Sequence, residues 1–334
     1  MSCAAFKLRF GIIGTNFISD WLLEGAAEDS RFEVAAIYSR SQDTANAFAV
    51  KHNIPYTFVS LDAMASSPLI DAVYIASPTA LHSEQAILFM EHGKHVLCEK
   101  PSASNIRELG RMIEAAKKYG VVFMEAMKST LMPGFGAILQ HLPEIGTVRR
   151  YFASYCQYSS RYDKLKAGEV MNAFKPELSN GATMDLGIYT IYPLVVLWGR
   201  PFRISATGTL LSTGVDGQGA VNFEYEDKCA TILYSKVADS LLPSEIQGEE
   251  GTIVIDKIQS PDRILLKYRN GISQDISVAD RQNEYYYEVK EFIDLVQSGD
   301  RESSVNSHLN SLITLEIIDE VRRQLGVVYP ADKN

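Results

Sequence analysis

The chain has 334 residues, which is longer than one typical hydrophobic core requires, so its length predicts two domains. Hydrophobic residues make up 46% of the sequence and charged residues 22%, as in ordinary soluble globular proteins. The net charge of −9 argues against a nucleic-acid-binding surface, because such a surface needs a cluster of basic residues. The sequence predicts no membrane-spanning segment and leaves no room for a signal peptide before the first strand, so we expect a cytoplasmic protein.

The spacing of histidines and cysteines argues against two further classes of protein. The six histidines form no cluster with the spacing of metal ligands, so no metal site is predicted. The four cysteines lie far apart and form no CxxC pair: Cys3, Cys98, Cys156 and Cys229. This spacing is typical of free thiols in a reducing compartment rather than of a disulfide framework.

The first 125 residues alternate short apolar runs with amphipathic segments. The apolar runs predict strands at residues 10–13, 34–38, 72–76, 96–99 and 121–124. The segments between them predict helices at residues 17–28, 43–52, 81–92 and 105–118. Continuous apolar strands separated by helices indicate a parallel sheet covered on both faces. We therefore predict an α/β domain with a doubly wound parallel sheet over residues 1–125.

The pattern changes after about residue 133. A short helix up to residue 141, a strand near 149–158 and a helix at 183–197 are predicted first. Further strands follow at residues 203–211, 219–225, 230–236, 245–247, 252–255 and 263–268. Sequential strands joined by short turns indicate an antiparallel sheet. Helices at 285–298 and 308–325 complete a second domain over residues 126–334, whose terminal helix we expect to pack on the first domain.

The first predicted strand leads into a turn that contains Gly14. Against the GxGxxG pattern of dinucleotide-binding turns, Gly14 is retained, whereas Asn16 and Ser19 replace the second and third glycines. Asparagine tolerates a left-handed backbone, and serine is small enough for close helix packing. The position between a strand and a helix favours a site where backbone amides bind a pyrophosphate. The residues assigned to it are Gly14, Thr15, Asn16, Phe17 and Ile18; the alternative is a tight turn without a ligand.

The end of the second predicted strand indicates which dinucleotide is bound. NAD-preferring sites place an acidic residue near this point to hold the ribose 2′-hydroxyl group. Here that acid is absent, and Ser39 and Arg40 stand at the position instead. Arginine suits phosphate in charge and geometry, so the sequence favours NADP, with NAD as the alternative cofactor.

A lysine follows the strand predicted at residues 96–99, in the order Glu99-Lys100-Pro101. Proline ends the strand because it cannot donate a ladder hydrogen bond, and strand ends of open α/β sheets face ligands. A lysine fixed there can bind an anion, form a Schiff base or transfer a proton. The residues alone leave these three roles open.

Five motifs in chain order give the sequence its resemblance to the Gfo/Idh/MocA family of oxidoreductases. They are the Gly14 turn and residues 77–84, 99–101, 125–126 and 181–189. The resemblance covers nearly the full length. Within the family the chain is similar to the dimeric dihydrodiol dehydrogenase branch, in which a tyrosine, here Tyr189, ends the last motif.

The resemblance implies a Rossmann domain joined to a C-terminal α/β domain with a large, mostly antiparallel open sheet, whose face often forms a homodimer contact. It implies hydride transfer between a nicotinamide and a sugar, polyol, dihydrodiol or related carbonyl compound. Lys100 is then expected at the substrate oxygen and Glu99 near the nicotinamide. The other residues expected to line the cofactor are Ser77, Pro78, Thr79 and His82.

Two departures from the family pattern limit what the resemblance implies. The replacements Asn16 and Ser19 leave cofactor affinity open. Many relatives carry Arg-Phe shortly after the Glu-Ala pair, whereas this chain has Thr130-Leu131, so their substrate contacts are not carried over. Glu125 is equally well explained as a structural acid at the domain junction, so we leave it out of the catalytic set.

Oxidation of an alcohol requires a group that accepts the hydroxyl proton, and the reverse reaction requires a donor. Lysine and tyrosine side chains ordinarily have a pKa of about 10, so Lys100 and Tyr189 can each donate at neutral pH. Our hypothesis makes Tyr189 the proton donor or acceptor and Lys100 its electrostatic partner, and the reverse assignment stays open. Asp185 lies one helical turn before Tyr189 and shares its face. It either orients Lys100 or binds a substrate hydroxyl group.

The leading function is an NADP-dependent oxidoreductase, and two alternatives stay open. The first is a non-catalytic regulator of the same fold that responds to a dinucleotide or sugar. The set Lys100, Asp185 and Tyr189 argues against it. The second is lyase-like chemistry with tightly held NAD, as in related glycosidases, and the missing acid after the second strand argues against it. A large apolar sheet face exposed to water is unfavourable, so we expect a homodimer through that face.

Overall fold

The computed structural model describes residues 6–279 and 282–333, so the predicted free thiol of Cys3 lies outside the described residues. The other three cysteines are free thiols, as predicted. The described chain separates into two compact units. Unit 1 comprises residues 6–103, 107–126 and 282–308, and unit 2 comprises residues 104–106, 127–279 and 309–333. The predicted domain division at residues 125 and 126 stays a prediction.

The first part of unit 1 alternates strands with helices. Its elements are β1 (Leu8–Ile13), α1 (Phe17–Ala26), β2 (Phe32–Tyr38), α2 (Gln42–His52), β3 (Tyr56–Phe58), α3 (Leu61–Ala65), β4 (Ala72–Ile75), α4 (His82–Glu91), β5 (His95–Glu99), α5 (Ile106–Tyr119) and β6 (Phe123–Ala126). The strands form one sheet in the order β3-β2-β1-β4-β5-β6, with every neighbouring pair parallel. The predicted doubly wound parallel sheet is confirmed, and β3 and α3 are additions that the sequence pattern did not predict.

Burial explains why the strands of unit 1 are continuous apolar runs. All four residues of β4 are buried, and so are Val96, Leu97 and Cys98 of β5. A strand covered on both faces gains hydrophobic stabilisation from every residue, so it shows no alternation of polar and apolar positions.

The remaining elements follow residue 127. They are α6 (Pro133–His141), β7 (Val148–Cys156), α7 (Ser160–Lys166), a π-helical turn (Thr183–Gly187), α8 (Ile188–Trp198), β8 (Arg203–Leu210), β9 (Asp216–Glu224), β10 (Cys229–Ser235), β11 (Ser244–Gly248), β12 (Gly251–Ile255), β13 (Ile264–Tyr268), β14 (Ser273–Asp275), α9 (Tyr286–Ser298) and α10 (His308–Leu325). Helix α9 belongs to unit 1, where the Phe292 and Phe10 rings lie 5.7 Å apart. Helix α10 belongs to unit 2 from Leu309 onward, and its packing on the first domain stays a prediction.

Unit 2 is built on an eight-stranded sheet in the order β14-β13-β12-β11-β7-β10-β9-β8. All neighbours are antiparallel except β7 and β10, so the predicted, mostly antiparallel sheet is confirmed. Burial alternates along β10, β11, β12 and β13, which places one face in the core and leaves the other half-exposed. On the core face the Tyr151 hydroxyl donates to the Thr190 carbonyl of α8 at 3.0 Å.

One segment of unit 2 is longer and more apolar than the sequence analysis recognised. Among the described residues, the segment Pro176–Trp198 is long and apolar enough to cross a membrane by length and composition alone, with a mean hydropathy of 1.2. However, 72% of its most apolar window is buried inside the protein. The segment is therefore apolar because α8 packs in the hydrophobic core of unit 2.

Candidate functional site

The turn between β1 and α1, residues 14–19, is called the Gly14 turn. Gly14 has a φ of +113°, which residues with a side chain rarely adopt. A Cβ atom at this position would lie 2.7 Å from the Ala76 carbonyl oxygen. The backbone therefore approaches the end of β4 more closely than any residue with a side chain allows. This close approach is what a phosphate-binding turn requires of its first glycine.

Asn16 and Ser19 replace the family glycines through hydrogen bonds rather than through backbone freedom. Asn16 is extended, with a φ of −95°, so the expectation that it uses its tolerance of a left-handed backbone is wrong. It is instead the N-cap of α1, because its Oδ1 accepts from the amides of Ile18 at 2.9 Å and Ser19 at 3.4 Å. Its Nδ2 donates to the Ala76 carbonyl at 2.8 Å, and Ser19 Oγ donates to the Gly14 carbonyl at 2.8 Å. The turn is thus fixed by its own side chains.

The residues assigned to the cofactor lie at one edge of the unit 1 sheet. Gly14, Ser39, Ser77 and Lys100 follow the carboxyl ends of β1, β2, β4 and β5, which are four adjacent parallel strands. The strand order reverses between β1 and β4, and the contact of Asn16 with Ala76 spans that point. Ligands of open α/β sheets bind in this crevice, outside the carboxyl ends at the point of reversal.

Ser39 and Arg40 lie at the end of β2 and the start of α2. Ser41 caps α2, since its side chain accepts from the Thr44 amide. Arg40 is exposed, and within residues 6–279 and 282–333 no carboxylate forms an ion pair with it. An exposed guanidinium suits a 2′-phosphate group at this edge, and contact of Arg40 with a cofactor stays a prediction.

The loop after β4 holds the second group of predicted cofactor residues. Ser77 Oγ donates to Gln85 Oε1 at 2.6 Å, Thr79 is buried, and Pro78 and Ser77 are half-exposed. These contacts fix the loop against the start of α4 at the same sheet edge. Their contact with a cofactor stays a prediction.

His82 has a different environment from the one expected of a cofactor contact. Its ring is buried, with Nε2 2.8 Å from the Ser77 carbonyl oxygen and Nδ1 3.0 Å from the Pro101 carbonyl oxygen. Burial and the nearby charge of Lys100 lower the pKa of His82 below its ordinary value, so a neutral ring donates to one of the two carbonyls. Both nitrogens face protein carbonyls, so His82 joins the ends of β4 and β5.

The segment around Lys100 is held on both sides by buried groups. The Tyr74 hydroxyl donates a short hydrogen bond to Glu99 Oε1, and burial together with the Glu99 charge raises the pKa of Tyr74 well above its ordinary value. On the other side, the Ser102 amide donates to Glu125 Oε1 at 2.8 Å. The Glu125 carboxylate thus binds the backbone two residues after Lys100. Lys100 is half-exposed between these fixed neighbours.

Asp185 and Tyr189 lie in unit 2, at the junction of the π-helical turn and α8. The sequence predicts one regular helix over residues 183–197, and the structure divides it into two kinds of helix. Asp185 and Tyr189 are half-exposed, whereas their neighbours are buried: Met184, Leu186, Gly187, Ile188 and Thr190. The predicted shared face is therefore observed as a shared exposed side. The Tyr189 ring also packs edge-on against Tyr155, with the centroids 5.6 Å apart.

Two charged residues near this turn were not predicted from the sequence. Lys236 Nζ donates to Asp185 Oδ2 at 2.8 Å, and Asp216 Oδ2 accepts from the Thr183 amide at 2.7 Å and the Thr183 hydroxyl at 2.6 Å. Both Lys236 and Asp216 are buried. The available signal was a charged residue at the end of an apolar strand, because such a charge is buried only when it has a partner.

The predicted residues thus form two groups, one in each unit. The cofactor set and Lys100 share the carboxyl edge of the unit 1 sheet, and Asp185 and Tyr189 share the exposed side of a helix in unit 2. The proton-transfer set of Lys100 with Tyr189 and Asp185 draws on both units and stays a prediction.

Comparison with known families and proteins places this arrangement in context. Residues 8–127 match a model described as an oxidoreductase family with an NAD-binding Rossmann fold, and residues 143–254 match the GFO/IDH/MocA C-terminal domain. The chain is 54% identical over 326 residues to scyllo-inositol 2-dehydrogenase (NADP(+)) IolU of Bacillus subtilis, covering 98% of this chain and 99% of the relative. It is 34% identical to trans-1,2-dihydrobenzene-1,2-diol dehydrogenase of Danio rerio, covering 97% and 99% of the two chains.

The fold also has a counterpart among solved structures. The aldose-aldose oxidoreductase of Caulobacter crescentus, solved with glycerol, matches with a TM-score of 0.84 over 95% of this chain and 97% of that chain. The sequences are 20% identical, so this likeness shows the fold alone. It extends to both units of the chain.

Proposed function

The chain belongs to the Gfo/Idh/MocA oxidoreductase family, and on that premise we propose that it transfers hydride between NADP and a hydroxyl-bearing carbon of a polyol, sugar or dihydrodiol. It is an enzyme of the NAD(P)-dependent dehydrogenase class. The observation that carries the proposal is the position of the Gly14 turn, Ser39-Arg40, the Ser77 loop and Lys100 at one edge of a parallel sheet. Each group follows a different strand, and the four strands are adjacent.

The residues at this edge fit NADP. The amides at the start of α1 would hold the pyrophosphate, although those of Ile18 and Ser19 already donate to Asn16. The binding amides are therefore expected nearer to Gly14 than in turns that keep all three glycines. Arg40, exposed and outside any ion pair among the described residues, would bind the 2′-phosphate. When bound, the nicotinamide supplies or accepts the hydride.

The chain's own residues handle the proton. We assign the exchange of a proton with the substrate oxygen to Lys100 Nζ and the Tyr189 hydroxyl. In our proposal Tyr189 transfers it and the Lys100 charge stabilises the developing alkoxide. Asp185 would accept a hydrogen bond from a neighbouring substrate hydroxyl group, which favours a substrate with adjacent hydroxyls. The names of the relatives, an inositol dehydrogenase and a dihydrodiol dehydrogenase, support the same substrate class.

The test of the catalytic assignment is turnover measured by NADPH absorbance with scyllo-inositol, other polyols, aldoses and a trans-dihydrodiol. We expect Lys100→Met and Tyr189→Phe each to lower kcat by about 100-fold or more, while the Kd for NADP stays within about threefold. Lys51→Met and Tyr268→Phe are matched controls, because both parent side chains make their ion pair or hydrogen bond at the surface. Full activity in both Lys100→Met and Tyr189→Phe would exclude the assignment.

The cofactor preference is tested separately. Arg40→Ala should raise the KM for NADP by about 10- to 100-fold and leave the KM for NAD nearly unchanged, since only NADP carries the phosphate. Arg111→Ala, at an exposed position of α5, should change neither value. An equal effect of Arg40→Ala on both cofactors would show that Arg40 does not read the phosphate.

We further propose a cytoplasmic homodimer formed through the half-exposed face of the unit 2 sheet. Apolar side chains on that face include Phe152, Leu233, Val254 and Leu265. Burying such side chains against a second copy stabilises association by about 25 cal/mol per Å2 of apolar surface. Light scattering should show a dimer, and a mass of one chain at micromolar concentration would contradict the proposal.

A further inference from the structure

Lys236 lies at the end of β10 and is buried to an unusual degree for a lysine. Its side chain is 3% exposed, and its Nζ donates to Asp185 Oδ2 at 2.8 Å and to the Ala173 carbonyl at 3.3 Å. The ammonium group also lies 5.2 Å from the centre of the Phe174 ring. A buried ammonium is strongly unfavourable without an opposite charge, so Asp185 is required as a carboxylate for this arrangement to form.

The two side chains of this ion pair differ in exposure, and Lys236 lies on the buried side of Asp185. The Asp185 side chain is 35% exposed, on the side that also carries Tyr189, whereas Lys236 is enclosed. The lysine is therefore shielded from a ligand that approaches the exposed side. Its charge acts there only through the carboxylate that it binds.

The backbone of the Asp185 turn, residues 181–187, is fixed independently of Lys236. Asp216 Oδ2 binds both the amide and the hydroxyl group of Thr183, and the Thr183 hydroxyl lies 2.7 Å from the Tyr234 hydroxyl. Loss of the Lys236 charge would therefore leave the turn in place and remove the Lys236 bond that orients the Asp185 side chain. This separation makes the role of Lys236 testable without loss of the fold.

We propose that Lys236 is a positioning residue that holds the Asp185 carboxylate in one orientation to accept a hydrogen bond from a substrate hydroxyl group. The inference rests on the proposed function, in which Asp185 binds the substrate. It assigns Lys236 a part in substrate recognition although Lys236 touches no substrate. A positioned, charged acceptor binds a hydroxyl group more strongly than a mobile one, because the cost of ordering it is met during folding.

The main test is a double-mutant cycle with Lys236→Met and Asp185→Asn, assayed with NADP and the best substrate of the parent. Methionine keeps the length of the side chain and removes its charge. We expect Lys236→Met to lower kcat/KM by about 10- to 100-fold, mainly through KM, with the Kd for NADP unchanged. In the Asp185→Asn background, the same change should lower kcat/KM by less than about threefold, because the group through which Lys236 acts is gone.

Three further variants complete the design. Lys236→Arg should retain at least about a tenth of parental kcat/KM, and Lys236→Gln should not, since only arginine restores the charge. If Lys236→Met does not fold, the comparison of Lys236→Arg with Lys236→Gln tests the inference in its place. Lys228→Met is the matched control, because Lys228 lies at the other end of β10 and pairs with the surface residue Asp227. It should keep parental kinetics.

The outcomes separate the inference from the proposed function. Parental kcat/KM in folded Lys236→Met, or an equal loss in both backgrounds, would overturn the inference and leave the proposed function standing. Equal kinetics of Lys236→Arg and Lys236→Gln would overturn it as well. No NADP-dependent turnover in the parent would overturn the proposed function, and the inference with it.

Discussion

The Gly14 turn of unit 1 and the Asp185 turn of unit 2 begin with the same type of residue but are held by different kinds of hydrogen bond. Each begins at a glycine with positive φ, +113° at Gly14 and +155° at Gly181. The Gly14 turn is then held mainly by side chains within five residues, with one bond to Ala76. The backbone of the Asp185 turn is held by Asp216, and its Asp185 side chain is bound by Lys236; both partners lie more than 30 residues later in the chain.

The Gly14 turn is therefore fixed by local contacts, whereas the Asp185 turn depends on residues of the unit 2 sheet. Local bonds form as soon as the strand and helix meet, so the Gly14 turn is expected to keep its shape when unit 2 is altered. The backbone of the Asp185 turn is expected to change when Asp216, the first residue of β9, is altered. The Asp185 side chain is expected to move when Lys236, which directly follows β10, is altered. Substitutions in each turn test this contrast.

The largest effect is expected at Gly14. An alanine Cβ would lie 2.7 Å from the Ala76 backbone oxygen, which cannot move without disturbing β4, and the φ of +113° is unfavourable for alanine. We expect Gly14→Ala to lower the free energy of unfolding by about 3 kcal/mol and to abolish NADP binding, as measured by urea denaturation and fluorescence titration. Gly110→Ala, in α5 with no atom near the new Cβ, should be neutral or stabilising by up to about 1 kcal/mol. Equal costs at both positions would mean that the close approach at Ala76 is unimportant.

Gly181→Ala is expected to cost somewhat less, about 2 kcal/mol in the free energy of unfolding. Its Cβ would lie 2.3 Å from Asp216 Oδ1, which is a side-chain atom and can move. The movement loosens the bonds that Thr183 donates to Asp216, so we also expect kcat/KM to fall while the Kd for NADP stays unchanged. Urea denaturation and steady-state kinetics measure the two effects. A loss of NADP binding would contradict the independence of the two turns.

Features that depend on local contacts could be predicted from the sequence, whereas features that depend on distant residues could not. The strands of unit 1, the Gly14 turn and Lys100 at a strand end were predicted because short-range patterns encode them. The strands β3 and β14 were not, since each has three residues and shows no period. Asn16 was correctly expected to replace a glycine in the turn, but for the wrong reason, because helix caps and left-handed backbones both favour asparagine.

The site in unit 2 was only half predictable for a physical reason. Asp185 and Tyr189 follow from helical spacing, but the π-helical turn that carries Asp185 coincides with the bonds of Thr183 to Asp216. The pairing of Lys236 with Asp185 requires the sheet order and the position of the turn together. No local pattern contains this information, which arises only when the strands are assembled.

Restoring a family glycine in the Gly14 turn is expected to weaken it. Asn16→Gly removes the cap on Ile18 and Ser19 and the bond to the Ala76 carbonyl, so it should lower the free energy of unfolding by about 1 kcal/mol. Urea denaturation measures the loss. Asn16→Asp is the matched variant, because it keeps the cap and replaces the Nδ2 donor with an oxygen that repels the Ala76 carbonyl, so its loss of stability reports on that contact alone. A more stable Asn16→Gly variant would show that the turn depends on glycine after all.

The smallest expected effect is a change in pH dependence at Asp216. Burial raises the pKa of Asp216 above its ordinary value of 3.8, and Oδ1 has no hydrogen-bond partner within the described part of the chain. The folded protein therefore binds this proton more tightly than the unfolded chain, so its contribution to stability is complete below pH 3.8 and declines as the pH rises toward the folded pKa. Asp216→Asn cannot ionise. The stability of the variant relative to the parent should therefore increase as the pH rises above about 4 and level off above the folded pKa.

Urea denaturation of parent and Asp216→Asn at a series of pH values measures this difference. Asp275→Asn, at an exposed position where bonds from Ser277 lower the pKa, is the control of opposite sign. Its stability relative to the parent should fall as the pH rises through the ordinary range of a carboxyl group, because only the parent gains the charge that the folded state favours. A flat difference for Asp216→Asn would mean that Lys236 and Thr183 stabilise the charged Asp216 as well as water does. The Asp185 turn would then hold a second ionised acid behind the first, and the Lys236 charge would be shared between them.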